Sequence, residues 1–320
     1  MRATPRRNQI LAAALAVLAA IGLSAQSKNV QPDEQSTFRT DVRLVPLHVT
    51  VVNKSGHLLT DLTQKAFHVY ENGVEQPIKK FLREDVPVSM GWIVDNSASM
   101  RTKRQRVEAS ALALVKASNP QDEVFIVNFN DEAFLDVPFT SDIKELERGL
   151  AKIDSRSGTA MRDAIRMSID YLKENGKRDK KVLVVITDGD DNNSSGTLEN
   201  LVKAAQQSEV LIYTVGLLSE EEKREAKRAT RALNAIAEAT GGKSHYPKEL
   251  KDVDGVCRQV AHDIRSQYII TYSPINSALD GSFRQIKVVA NAPNHPVVRT
   301  RSGYYATPDK TDHRASTSSR

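Results

Sequence analysis

The chain has 320 residues, 40% of them hydrophobic and 27% charged, which excludes a fibrous or wholly disordered polymer and allows a self-supporting core. The formal net charge is +5, but Arg2, Arg6 and Arg7 contribute three of those charges at the extreme N-terminus, so the remainder lacks the clustered basic surface of a nucleic-acid binder. A single cysteine, Cys257, excludes an internal disulfide and any zinc site built on a cysteine pair.

Residues 1–25 have the layout of a secretory leader: a basic start, an apolar run from Ile10 to Leu23, then the small residues Gly22, Ser24 and Ala25. The run is shorter than the roughly 20 residues of a membrane-spanning helix. An uncleaved leader is the alternative, and no other span is expected. Arg6-Arg7 also fits a twin-arginine signal, although such a pair is common in basic leaders. The expectation is an exported protein: periplasmic, on the cell surface or secreted. Residues 26–37 are polar and without periodicity and read as a linker.

Residues 38–85 read as an N-terminal β segment. "VRLVPLHVTVV" alternates, and "FHVYENGVEQPIKKF" reads as two strands around the hairpin dipeptide Asn72-Gly73. From 86 to 267 the pattern becomes strands alternating with helices. "VSMGWIVD" and "KVLVVIT" are continuous apolar runs, as strands buried on both faces require. "EVFIVNF" and "EVLIYTVGL" are further strands, and "AFLDVPF" reads as a short edge strand. Helices are expected near 102–118, over "IKELERGLAKI", "TAMRDAIRMSIDYLKE" and "TLENLVKAAQQS", and near 220–240 and 250–266. Cys257 falls in that last amphipathic pattern and reads as a small core residue. The fold class predicted is α/β, a doubly wound and mostly parallel sheet. Residues 268–307 return to β with "YIITYSP", "SFRQIKVVA" and "VVRTRSGYY", and 308–320 read as a disordered tail. Neither β segment is large enough to be secure alone, so the two are expected to form one small β-sandwich with the α/β unit inserted between them.

Ligands of open α/β sheets bind at the carboxyl ends of the strands. Three stretches there carry oxygen side chains: Asp95-x-Ser97-x-Ser99, Ser157-Gly158-Thr159 and Thr187-Asp188-Gly189. Hydroxyls and carboxylates suit a hard cation such as Mg²⁺. Each stretch also has an ordinary reading. Ser97 and Ser99 fit a helix cap, and Asp188 to Asp191 fit a solvated acidic turn, with Asp190 and Asp191 expected to be no more than that. Ser97 has no neighbouring glycine or histidine base that would make it a nucleophile. The histidines, including His48, His57 and His68, carry no catalytic signature. Residues 220–231 read as a charged helix face. Asn53, Asn192 and Asn193 fit the glycosylation sequon, a pattern that often occurs by chance.

Taken in order, Asp95, Ser97, Ser99, Thr159 and Asp188 resemble the metal-ion-dependent adhesion site of von Willebrand factor type A domains, and the likeness covers about residues 87–265. The layout is also similar to that of exported acidobacterial proteins related to this family, through Val69–Gly73 and Gly303–Tyr305. The resemblance implies one Mg²⁺ site, with Mn²⁺ or Ca²⁺ as alternatives. Ser97 and Ser99 would bind through their hydroxyls, Thr159 when ligand is present, and Asp95 and Asp188 mainly through water. It implies a non-enzymatic adhesion or assembly module that binds a protein ligand, whose Glu or Asp carboxylate completes the metal's coordination. A metal-assisted hydrolase and an envelope protein with a purely stabilising metal are the alternatives. Asp95 and Asp188 are expected at a solvent-facing edge, where replacement would spare the fold. No motif fixes the oligomeric state.

Overall fold

Alternation decides the first strand. In β1 (Val45–Val52) the residues Val45, Leu47, Val49 and Val51 are buried on one face. The computed structural model describes residues 43–308 except 84, 117–118, 153–157 and 220–221. The expected leader and linker, residues 38–42 of the β segment, Ser157, and residues 309–320 of the expected tail lie outside the described residues.

β2 (Phe67–Glu71) turns through Asn72 and Gly73, both at positive φ, into β3 (Val74–Gln76). The hairpin expected from sequence is present, but its second strand is not one strand. Proline has no N–H for a ladder, and at Pro77 the chain leaves β2. It continues as β4 (Ile78–Leu82), which pairs with β11 (Tyr268–Tyr272) in the opposite sheet.

The α/β unit begins with β5 (Val88–Asp95), buried along its whole length. There follow α1 (Arg104–Lys116), β6 (Glu123–Phe129), β7 (Ala133–Thr140), α2 (Ile143–Leu150), α3 (Met161–Asn175) and β8 (Lys180–Thr187). α4 (Leu198–Ser208), β9 (Leu211–Gly216), α5 (Lys223–Thr240), β10 (Ser244–His245) and α6 (Val253–Arg265) complete it. The sheet order is β10-β9-β8-β5-β6-β7, parallel except for β7, which runs antiparallel to β6. β7 is the edge strand expected from sequence, but it is eight residues long rather than short. Apolar side chains cover both faces. Trp92 and Val94 pack toward Val107 of α1 and Val260 of α6. Ile93 and Phe125 pack toward Ile165 of α3 and Leu233 of α5. Cys257 is buried in the α6 face, and burial pushes its thiol up to about 12.

After β11 come β12 (Phe283–Ala290), β13 (Val297–Arg299) and β14 (Gly303–Tyr305). Residues 297–305, which read as one strand, are two. Between them Arg301 turns inward, donating to Gly303 O and Gln206 O, and Ser302 N donates to Ala239 O. β13 therefore joins the sheet β13-β1-β11-β4, and β14 joins β14-β12-β2-β3. The two sheets face each other across Leu47, Val69, Ile270, Ile286 and Tyr304. Each mixes strands from both ends of the chain. Glu71 joins those ends directly, since both Tyr272 OH (2.6 Å) and Tyr304 OH (3.0 Å) donate to its Oε2. The architecture is thus an α/β unit set between two β segments that form one sandwich.

Candidate metal centre at the carboxyl edge of the sheet

β5 ends on Asp95, whose side chain is wholly buried. Its Oδ1 accepts the Ser97 N–H at 2.8 Å, and its Oδ2 accepts the Thr187 hydroxyl at 2.5 Å. The carboxylate therefore ties the end of β5 to the end of β8. Burial pushes this carboxyl up to about 6, while the bonds from Thr187 and Ser97 pull the other way.

Ser97 stands before a single helical turn, Ala98–Met100, but its side chain makes no capping bond. The helix-cap reading fails there. Instead Ser97 Oγ lies 3.1 Å from Ser99 Oγ. The exposed Ser99 hydroxyl donates to Asp188 Oδ1 at 2.8 Å, and Lys103 Nζ donates to Asp188 Oδ2 at 2.5 Å. A continuous line of contacts thus runs from Ser97 through Ser99 to Asp188 and Lys103. Beneath it lies Arg104, buried, donating to Asn128 Oδ1 and Leu150 O, each at 2.8 Å.

Thr159 reaches the same edge through its backbone. Its N–H donates to Asn192 Oδ1 at 2.9 Å, and its carbonyl accepts from the N–H groups of Asn192 and Asn193 at 3.1 and 3.2 Å. Gly158 allows the approach, because a Cβ there would stand 2.8 Å from Asp131 Cα. Asp191 holds the same loop from below. It accepts the Arg162 N–H at 2.6 Å and Arg162 Nη2 at 3.0 Å, with its side chain 3% exposed. Asp190 pairs with Arg228 of α5. The expectation that Asp190 and Asp191 are simply solvated is therefore wrong, since both brace the loop that carries Asp188. The expectation that Asp95 and Asp188 face solvent is also wrong. They are 0% and 8% exposed, and each carboxylate accepts bonds from neighbouring strands and turns.

The residues fit a small hard cation. Octahedral ligands at 2.0–2.1 Å stand about 3 Å apart at adjacent vertices. The Ser97–Ser99 and Ser99–Asp188 spacings of 3.1 and 2.8 Å match that separation. The donors are all oxygen, and the Lys103 ammonium already places positive charge against Asp188. Among the described residues no three His, Cys, Asp or Glu side chains gather as a metal group, so a cation here would rely on hydroxyls. Sequence reasoning missed three residues that contact the candidate site. Thr187 was adjacent to Asp188 but carried no assigned role. Lys103 and Asn192 are brought in by turns whose geometry has no periodic signature.

Residues 91–190 match the family model of the von Willebrand factor type A domain. Among curated proteins, calcium-activated chloride channel regulator 1 from Mus musculus is 27% identical over 176 residues, 51% of this chain and 17% of that protein. The chain therefore spans only a small fraction of that relative's length. Among solved structures, proximal thread matrix protein 1 from the mussel byssus, with a zinc-occupied MIDAS motif, superposes at TM-score 0.49 and 14% identity, covering 61% of this chain and 50% of that one. The vWF domain of the type V pili tip protein Mfa5 from Porphyromonas gingivalis gives 0.46 and 13%, covering 56% and 97%. BatB from Bacteroides thetaiotaomicron gives 0.45 and 20%, covering 56% and 100%. Among the described residues no helix is long and apolar enough to cross a membrane.

Proposed function

We propose, taking as premise that residues 91–190 form a von Willebrand factor type A domain, that this chain is an exported module that binds a protein ligand through a divalent cation. The observation that carries the proposal is the Ser97–Ser99–Asp188 line, in which Ser99 Oγ stands 3.1 Å from Ser97 Oγ and 2.8 Å from Asp188 Oδ1, each a spacing that adjacent octahedral vertices would have. Ser97, Ser99 and Thr159 would hold the cation with Asp188, and Asp95 would fix the serine turn from beneath. Mg²⁺ is the preferred ion for this small all-oxygen set; Mn²⁺ would be accepted, and Ca²⁺ less readily. When bound, the cation supplies an electrophilic site for an incoming carboxylate. Few anionic groups of the chain are directed to it, so a Glu or Asp of a protein partner is the ligand that suits it.

A binding role fits the site better than hydrolysis. Its two carboxylates are already engaged, Asp95 by Ser97 and Thr187, Asp188 by Ser99 and Lys103, so neither stands free as a general base. Export rests on the leader-like first 25 residues. The test is capture of envelope proteins on the immobilised chain in Mg²⁺ and in EDTA. A partner held only in Mg²⁺, and lost in Ser99→Ala, is expected. Capture that is indifferent to both EDTA and Ser99→Ala would defeat the proposal.

A further inference from the structure

At the opposite edge of the sheet a cavity of about 890 Å³ lies where the strand starts meet the sandwich. Its walls come from β1, β4, β11, the segment leading into β8, and the C-terminal ends of α4 and α5. Ligand cavities commonly span about 300–1,000 Å³. β8 runs from Lys180 in this cavity to Thr187 beneath the metal centre, so the two sites are separated by roughly 20 Å of strand.

The lining is unusually cationic for a chain otherwise close to neutral. Lys80, Lys177, Arg178, Lys180, Lys181 and Arg301 line it, opposed by Asp179 and Glu209 alone. Lys180 and Arg301 are themselves buried. Three nitrogens of its lining residues are buried without a hydrogen-bond partner: His48 Nδ1, Arg178 Nε and Arg301 Nη1. Arg301 Nη1 has Glu209 Oε1 only at 3.5 Å. Buried polar groups left unbonded are rare and costly, at about 1–3 kcal/mol each. Burial also disfavours the charged form of two of these cations. Burial first, then the neighbouring Arg265, lowers Lys180 to about 7; burial also lowers Arg301. The remaining wall is apolar, with Leu82, Val86, Val210, Leu211 and Ile269.

We propose that this cavity binds a small amphiphilic anion, with a carboxylate, sulfate or phosphate head on the Arg178, His48 and Arg301 nitrogens and an apolar body along Leu82, Val210 and Ile269. Head oxygens supply the missing acceptors to the two arginine nitrogens, and to His48 Nδ1 in the tautomer that carries its proton there, and the tail covers the apolar wall. The same head chemistry occurs in a soluble alkyl phosphate and in a membrane phospholipid. The proposal does not depend on the metal reading.

The test is calorimetric titration of the full chain with n-decyl phosphate below its micellar concentration. One site per chain is expected. Arg178→Glu should weaken binding about tenfold or more, the loss of one charge-assisted contact and its replacement by repulsion. Inorganic phosphate and decyltrimethylammonium should each bind at least about tenfold more weakly, lacking the tail or the charge. Ser99→Ala should bind as the wild type does. Lys177→Glu, at an exposed rim position, gives the same reading with a smaller loss should Arg178→Glu not fold. Displacement of decyl phosphate by phosphatidylglycerol vesicles would identify a lipid source, and failure to displace it a soluble one. Absence of decyl phosphate binding, equal binding of the alkylammonium, or undiminished binding by the folded charge-reversal variant would overturn the proposal, and so would attachment to vesicles alone.

Discussion

Asp95 and Ser99 lie in one stretch of the proposed site but differ in what their loss does to the fold. Asp95→Ala strands the buried Thr187 hydroxyl and the Ser97 N–H, at about 1–3 kcal/mol for each unsatisfied group. Ser99 is exposed and gives Asp188 one hydrogen bond while Lys103 keeps the other oxygen bonded, so Ser99→Ala should cost only about 1 kcal/mol. Urea denaturation separates the two, and equal stability losses would contradict the assigned roles. Lys103 supplies Asp188 with positive charge that a bound cation would also supply. Lys103→Gln should therefore bind Mg²⁺ several-fold more tightly while lowering metal-free stability by about 1–3 kcal/mol. Weaker Mg²⁺ binding in that variant would show Lys103 to be a support rather than a competitor. His245 offers a pH test away from the metal. Burial, with the Lys243 and Arg299 charges outweighing Asp263, lowers its imidazole from 6.5 to about 4. The fold accepts the neutral ring, so its contribution is complete above about pH 6.5. It falls by up to about 1.4 kcal/mol per pH unit as the pH drops toward 4. His245→Gln should lose that share of acid sensitivity, and an identical change in unfolding free energy between pH 7 and 5 in both chains would refute it. At this scale the Asp95–Ser99 and Asp188 stretches could be placed on one sheet edge from the sequence, because each follows directly on an apolar strand run. The roles of Lys103 and Thr187 could not be read there, since they depend on which oxygen each reaches.

Among the elements, the buried strands read directly from their apolar runs, and β5 and β8 fall where "VSMGWIVD" and "KVLVVIT" placed them. The failures occur where a residue diverts the chain between sheets. Pro77 divides the second hairpin strand, and the inward turn of Arg301 divides β13 from β14. Strand propensity is the same on both sides of each break, so periodicity cannot register it. β5 contains a further constraint that periodicity does not show. A Cβ at Gly91 would lie 2.3 Å from Phe125 Cζ and 2.6 Å from Leu183 Cδ2, so Gly91 is the gap into which the neighbouring strands' side chains pack. Gly91→Ala should destabilise the chain by about 1–3 kcal/mol through overpacking. A denaturation midpoint unchanged from wild type would show that Phe125 repacks freely.

Over the whole molecule, the two β segments depend on each other. Both neighbours of β1, β11 and β13, come from the C-terminal segment, and β12 lies between β2 and β14. Residues 38–85 expressed alone should therefore show no cooperative unfolding transition, because half of the sandwich core is missing; a sharp transition would refute the joint sandwich. The insertion is fastened to it by Arg299 on Asp263 (2.8 Å) and by Gln267 Nε2 on Thr50 Oγ1 (3.1 Å). The proposed metal edge and the cationic cavity lie at opposite ends of β8, and the second lies against the sandwich. The most direct test of the account is calorimetric titration of the full chain with Mg²⁺, beside the Ser97→Ala/Ser99→Ala double variant. The account predicts one site per chain in the wild type and no measurable site in a variant that retains its circular dichroism spectrum. No Mg²⁺ binding by the wild type, or equal binding by the double variant, would contradict it.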